Sequence, residues 1–170
     1  QGGWAGRPPG SAVGLPPEKV ALNMLYAGGS FGRRANPASD FVIEAASIAK
    51  ALAVPGKPGV PVKLIWTRED DMKGGYYRPA YVHALAAGLD AQGNVTGWQH
   101  RIVGQSIVAG TAFEAEMIKD GIDATSVEGA STLPYDIPNL RVELHSPKVG
   151  VPVLWWRSVG STHTAYSTET

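Results

Sequence analysis

Cysteine is absent from the 170-residue chain, which removes disulfides, thiolate metal ligands, cysteine nucleophiles and iron–sulfur ligation from it without fixing its compartment, cytoplasm or periplasm. Net charge is absent too, with 15 Lys and Arg against 15 Asp and Glu and no basic stripe, so nucleic acid is not an expected partner. No apolar run approaches the roughly 20 residues that cross a bilayer, and no membrane span is expected. Methionine does not stand at position 1, where Gln1 does, and the stretch from Ala165 to Thr170 breaks off as a helix is beginning. Both ends read as cuts, so a piece of a longer polypeptide is expected.

What is present is the composition of a globular protein, 44% apolar over a length that suits a single domain, 1–170. Residues Gly2 to Gly14 are rich in glycine and proline and predict an irregular segment over 1–14. Beyond them, Lys19–Ala27 reads as a buried strand, and Gly28-Gly29-Ser30-Phe31-Gly32-Arg33-Arg34 follows it. Phe41, Ala45, Ile48 and Leu52 then recur at helical spacing over Asp40–Ala53, with Ser39 or Asp40 as the cap. Val60–Thr67 alternates as a second strand. Strand, glycine loop, helix and strand make a crossover unit, so the two strands are predicted parallel.

The acidic stretch Thr67–Asp71 is read as a solvated turn rather than a metal site, because neighbouring carboxylates point in different directions. Pro79–Asp90 and Val95–Gly104 form a predicted hairpin, turned at Asp90–Asn94 with Gly93 as the positive-φ residue. His83 and His100 lie on its arms and are read as strand histidines, not a zinc pair. Thr111–Ala130 predicts short helices or a loop, and Leu140–His145 a further strand. The predicted class is α+β: a mixed sheet with the crossover unit and the hairpin, and helices packed on it.

Two stretches carry chemistry. Three glycines among Gly28–Gly32 let main-chain N–H groups turn toward one point, a concavity suited to anionic oxygens. Arg33 and Arg34 add charge beside it. The stretch is neither a P-loop nor a dinucleotide fingerprint, and a plain glycine turn with two solvated arginines is the competing reading. Trp155-Trp156-Arg157 sets a guanidinium among indoles before Gly160; a surface cation–π stack is the competing reading there.

Four stretches in order, Gly28–Arg34, Pro61–Met72 (PVKLIWTREDDM), Tyr135–Arg141 (YDIPNLR) and Trp155–Gly160 continuing to Glu169, resemble the molybdenum-binding large subunits of the xanthine dehydrogenase and aldehyde oxidase family. The likeness runs from about Leu15 to the end and is greatest to the isoquinoline 1-oxidoreductase type of beta subunit. It implies that Gly28, Gly29, Ser30, Phe31 and Gly32 lie against a molybdenum–molybdopterin cofactor, in its cytosine dinucleotide form, with the Phe31 amide toward the metal centre. Arg157 matches the family's arginine near the same centre. Gln1 stands about one residue short of the spacing of the family's cofactor-binding glutamine and is carried as its counterpart. No protein ligand to the metal is implied.

The resemblance further implies oxidation of an N-heterocycle or aldehyde with water as the oxygen source. A glutamate general base would lie beyond residue 170. The implied partners are an iron–sulfur small subunit, the remainder of the large subunit and a small-molecule substrate; the 170 residues alone are expected to be inactive. Three departures stand out. Ser30 replaces a family glycine, Gly2–Gly14 lacks a helical pattern, and Ala35 stands where purine-oxidising members carry glutamate. The alternative from another class is a non-enzymatic partner-binding domain whose glycine loop is a structural turn.

Overall fold

A computed structural model describes residues 12–170. They divide into two compact units, one running to Ser30 and resuming over Arg34–Gly75, the other made of Tyr76–Thr170 with Phe31–Arg33 inserted from upstream.

The second unit holds the sheet. β1 (Tyr81–Leu89) and β2 (Val95–Gly104) pair antiparallel, and β5 (Leu140–His145) pairs parallel to β2 from Trp98↔Leu140 to Val103↔His145, giving the order β1-β2-β5. The hairpin turn forms as its residues dictate. Asp90 Oδ1 accepts from the N–H groups of Gln92 and Asn94, and Gly93 takes φ +85°. Because side chains alternate along a strand, His100 and Ile102 share the inward face of β2, and both are fully buried. Ile102 joins Val127 and Ala130 in the core, with Tyr81, Val142 and Leu144 packed around them.

Between β2 and β5 lie α3 (Glu114–Met117) and a small hairpin of β3 (Ile118–Lys119) and β4 (Ile122–Asp123). Asp120 (φ +50°) and Gly121 (φ +79°) supply the two left-handed residues its tight turn requires. α4 (Ser161–Glu169) closes the unit, anchored by buried Thr164, whose Oγ1 donates to the Glu128 carbonyl at 2.6 Å. The architecture is α+β, with a mixed sheet.

In the first unit, α1 (Asp40–Ala51) appears where the periodicity predicts it. Its N-cap, Ser39, is left-handed at φ +52° and makes no side-chain cap; Asp40 Oδ1 instead accepts from the Phe41 N–H at 2.9 Å. The acidic stretch forms α2 (Arg68–Lys73) rather than a turn. Thr67 and Asp70 cap each other reciprocally, and Asp71 pairs with Arg68 at 2.9 Å.

Three further expectations need correction. Lys19 ends a 3-10 turn, Pro17–Lys19, and neither 20–27 nor 60–67 enters a ladder. A strand exists only where a neighbour takes up its N–H and C=O groups, and neither stretch has one among the described residues. Met24, Leu25 and Tyr26 are accordingly exposed. Over 61–66 the alternation survives in burial alone: Val62, Leu64 and Trp66 are half-buried between exposed neighbours. The parallel pair is therefore β2 with β5, not the predicted crossover. Finally, Ala12 and Val13 are helical where an irregular segment was expected, and Gly14 at φ +80° ends the turn; the rest of that segment lies outside the described residues.

Candidate functional site

Two segments far apart in sequence run side by side in the second unit. The Tyr77 N–H donates to the Pro152 carbonyl at 2.9 Å, and the Leu154 N–H donates to the Tyr77 carbonyl at 3.1 Å. This parallel bridge aligns Tyr76-Tyr77-Arg78 with the approach to Trp155-Trp156-Arg157. Phe31–Arg33 packs on the same place. The Arg157 N–H donates to the Phe31 carbonyl at 2.9 Å, and the Arg157 guanidinium lies 5.9 Å from the centroid of the Phe31 ring. Gly32 is needed here: a Cβ on it would stand 2.7 Å from Trp156 Cα and 2.8 Å from the Trp155 carbonyl oxygen. Only main chain without a side chain approaches so closely.

The backbone on both sides is strained. Phe31 (φ +51°), Ser158 (φ +67°) and Val159 (φ +36°) are left-handed, three of the five non-glycine residues with positive φ among those described. For a β-branched residue such as Val159 this is a true outlier. Strain of this kind costs about 1–3 kcal/mol per residue and persists where the surroundings over-determine it, which is typical of ligand-holding loops.

Phe31, Arg78, Trp156 and Arg157 line an open hollow of about 480 Å³. Arg78 reaches across it. Both its terminal nitrogens lie 3.3 Å from the Arg157 carbonyl, Nη1 also donates to Thr162 Oγ1 at 2.8 Å, and its guanidinium stands 5.8 Å from the Trp156 ring centroid. Neither Arg78 nor Arg157 pairs with a carboxylate among the described residues. The Trp156 Nε1–H is buried with no acceptor among the described residues. Two guanidiniums without carboxylate partners among the described residues and two aromatic rings suit a flat ring system bearing oxyanions. The residues present therefore fit a pterin-type cofactor with anionic groups.

The sequence candidates distribute unevenly. Phe31, Gly32 and Arg157 are brought together. Gly28, Gly29 and Ser30 belong to the first unit; a Cβ at Gly28 would meet nothing within 4 Å. Gly29 adopts φ +132°, whereas Ser30 is not among the positive-φ residues, so serine replaces a glycine there without strain. Gln1 lies outside the described residues. Arg33 stands 5.6 Å from the Tyr76 ring centroid, and Arg34 lies 5.0 Å from that of Phe41. Sequence reasoning missed Arg78, although Tyr76-Tyr77-Arg78 repeats the aromatic-aromatic-arginine order of Trp155-Trp156-Arg157.

A family model described as a molybdopterin cofactor-binding domain matches residues 10–170, across both units. The isoquinoline 1-oxidoreductase subunit beta of Brevundimonas diminuta is 28% identical over 158 residues, covering 92% of this chain and 19% of the relative. A membrane-bound aldehyde dehydrogenase [pyrroloquinoline-quinone] of Gluconacetobacter polyoxogenes is 32% identical over 162 residues, covering 91% and 20%. The 6-hydroxypseudooxynicotine dehydrogenase complex subunit gamma of Paenarthrobacter nicotinovorans is 29% identical over 159 residues, covering 92% and 18%. The chain thus spans about a fifth of the length of these relatives. No solved structure matches it. With the family model covering nearly its whole length, the chain belongs to the molybdopterin cofactor-binding domain family of molybdenum hydroxylases.

Proposed function

We propose that the hollow of Phe31, Arg78, Trp156 and Arg157 holds part of a molybdenum–molybdopterin cofactor in a larger oxidoreductase. The carrying observation is the pair of guanidiniums without carboxylate partners, set among aromatic rings beside a strained main chain. Arg157 and Arg78 would neutralise the cofactor's oxyanions, Arg157 from a backbone that Phe31 and Arg78 hold in place. Phe31 and Trp156 would cover the flat ring and exclude water. Gly28, Gly29 and Ser30, which run directly into Phe31, are assigned main-chain contacts, and Gln1 a side-chain contact.

When bound, the cofactor supplies two-electron oxidation of a substrate carbon with oxygen taken from water. The substrate proposed is an N-heterocycle or an aldehyde. This part of the chain contributes binding, orientation and fixed charge and moves no proton of the reaction itself; a glutamate in the remainder of the large subunit would act as base. An iron–sulfur subunit would receive the electrons, in keeping with the naming of two relatives as subunits. The cytosine dinucleotide form is proposed for the cofactor, and no turnover for these 170 residues alone.

The test is Arg157→Ala in the complete holoprotein, with molybdenum and released pterin quantified per mole. A loss of at least tenfold in both, with the fold retained, is the expected result. Full loading of the variant, or a native holoprotein carrying a quinone and no molybdenum, would overturn the assignment.

A further inference from the structure

Behind the hollow, three histidines from three elements are linked in a line. His163 Nδ1, on the first turn of α4, lies 3.2 Å from His83 Nε2 on β1, and His83 Nδ1 lies 2.7 Å from His100 Nε2 on β2. Both ring nitrogens of the central His83 are engaged. The outer nitrogens, His163 Nε2 and His100 Nδ1, are buried with no partner among the described residues. Among the described residues no cluster converges as a metal site, and a central imidazole spent on two others forms a chain rather than a ligand set.

The bonding permits only a few proton arrangements, because each N···N contact needs one hydrogen and one lone pair. With all three rings neutral there are two, one donating from His163 toward His100 and one in the reverse direction. Each leaves the same two outer nitrogens over. Adding one proton leaves an N–H on both outer nitrogens and lets any one of the three rings be the cation with both contacts intact. On His83 the cation donates both ways to neutral neighbours, with two charge-assisted bonds, whereas on an outer ring it makes only one. A second proton would set two hydrogens against each other across 2.7 Å or 3.2 Å between like charges.

We propose that His163, His83 and His100 form a site for a single proton, held on His83, and that a second proton expels α4 from the sheet. The surrounding charges are few. Arg78 acts on His163 from the hollow side, adding to the cost of a cation there. Tyr81 stacks on His163 with centroids 3.6 Å apart and planes at 12°, and its hydroxyl is shared with Ser126 and the Gln105 carbonyl. Asp123 faces Tyr81 through Ser126, and Glu128 is occupied by the Gly160 N–H at 3.0 Å. Arg101, on the opposite face of β2 from His100, is paired with Glu143. Burial lowers the pKa of each imidazole, with the neighbouring rings adding to the effect at His100 and His163.

The consequence reaches the hollow, because α4 begins directly after the Trp156–Gly160 segment, and Thr162, adjacent to His163, accepts from Arg78. The inference does not depend on the cofactor. It is tested on the full chain labelled with ¹⁵N-histidine, using His145, which lies outside the line, as the reference resonance. Expected are through-bond nitrogen–nitrogen couplings across both contacts, and uptake of one proton rather than three while α4 stays docked. In His83→Phe both couplings vanish and the single-proton step is lost. Should that variant not fold, His163→Gln is expected to keep the His83–His100 coupling and lose the other. Absence of the couplings in the native chain, or three protons taken up with α4 in place, would overturn the proposal.

Discussion

Replacing Gly32 with alanine tests whether Phe31–Arg33 is held against the tryptophan segment. The added Cβ would stand 2.7 Å from Trp156 Cα, 2.8 Å from the Trp155 oxygen and 2.9 Å from its carbonyl carbon. All three are main-chain atoms, so no rotamer change relieves the clash. Gly32 also sits at φ +92°, where an L-residue is disfavoured by about 1–2 kcal/mol. Forcing one extra carbon into a packed contact adds about 1–3 kcal/mol. The sum, about 2–5 kcal/mol, exceeds the net worth of the single Arg157-to-Phe31 hydrogen bond, about 1 kcal/mol. The loop should therefore detach rather than absorb the strain. Urea unfolding of the holoprotein and its molybdenum content are the assays, with Gly150→Ala as the control. Nothing lies within 4 Å of a Cβ at Gly150 and its φ is not positive, so its stability should stay within about 0.5 kcal/mol of wild type. A Gly32→Ala protein as stable as the control would refute the reasoning.

Two further outcomes follow from the same geometry. Arg78→Lys keeps the charge but loses the forked contact to the Arg157 carbonyl; a loss of about 1 kcal/mol in stability and weaker cofactor retention are expected, and unchanged retention at all salt concentrations would count against it. Acidification should destabilise the protein through His163, whose pKa falls from 6.5 to about 4, chiefly by burial. The group is depressed on folding, so its contribution is complete above pH 6.5 and is lost as pH falls toward about 4. Linkage caps the effect at about 3 kcal/mol, and partial solvent contact reduces it to about 1–2 kcal/mol. His163→Gln should flatten that part of the stability profile, read by chemical denaturation at successive pH values.

The elements legible in the sequence were those specified locally. The hairpin follows from alternation on both arms and from Gly93; β5 from Leu140, Val142 and Leu144; α1 from Phe41, Ala45 and Ile48. The β3–β4 turn was legible in principle from Asp120-Gly121, a pair that favours two positive φ values. The run 20–27 misled because an apolar stretch resembles a strand whether or not a ladder partner exists, and partners are a nonlocal property. Leu25 is 86% exposed, so hydrophobicity alone did not report burial. Arg78 escaped for a similar reason: its role depends on the bridge from Tyr77 to Val153, which no spacing encodes. His83 and His100 were visible as strand histidines on the two arms of the hairpin, but their contact depends on the register, and His163 joins them only once α4 packs. The juxtaposition of Phe31, Gly32 and Arg157 was legible through family resemblance rather than through the residues alone.

The most direct test of the cofactor assignment is the position of molybdenum in crystals of the complete holoprotein, located by anomalous scattering at its absorption edge. The metal's organic ligand is expected beside Phe31 and Arg157. Molybdenum bound elsewhere, with the hollow of Phe31, Arg78, Trp156 and Arg157 holding no part of its ligand, would contradict the account.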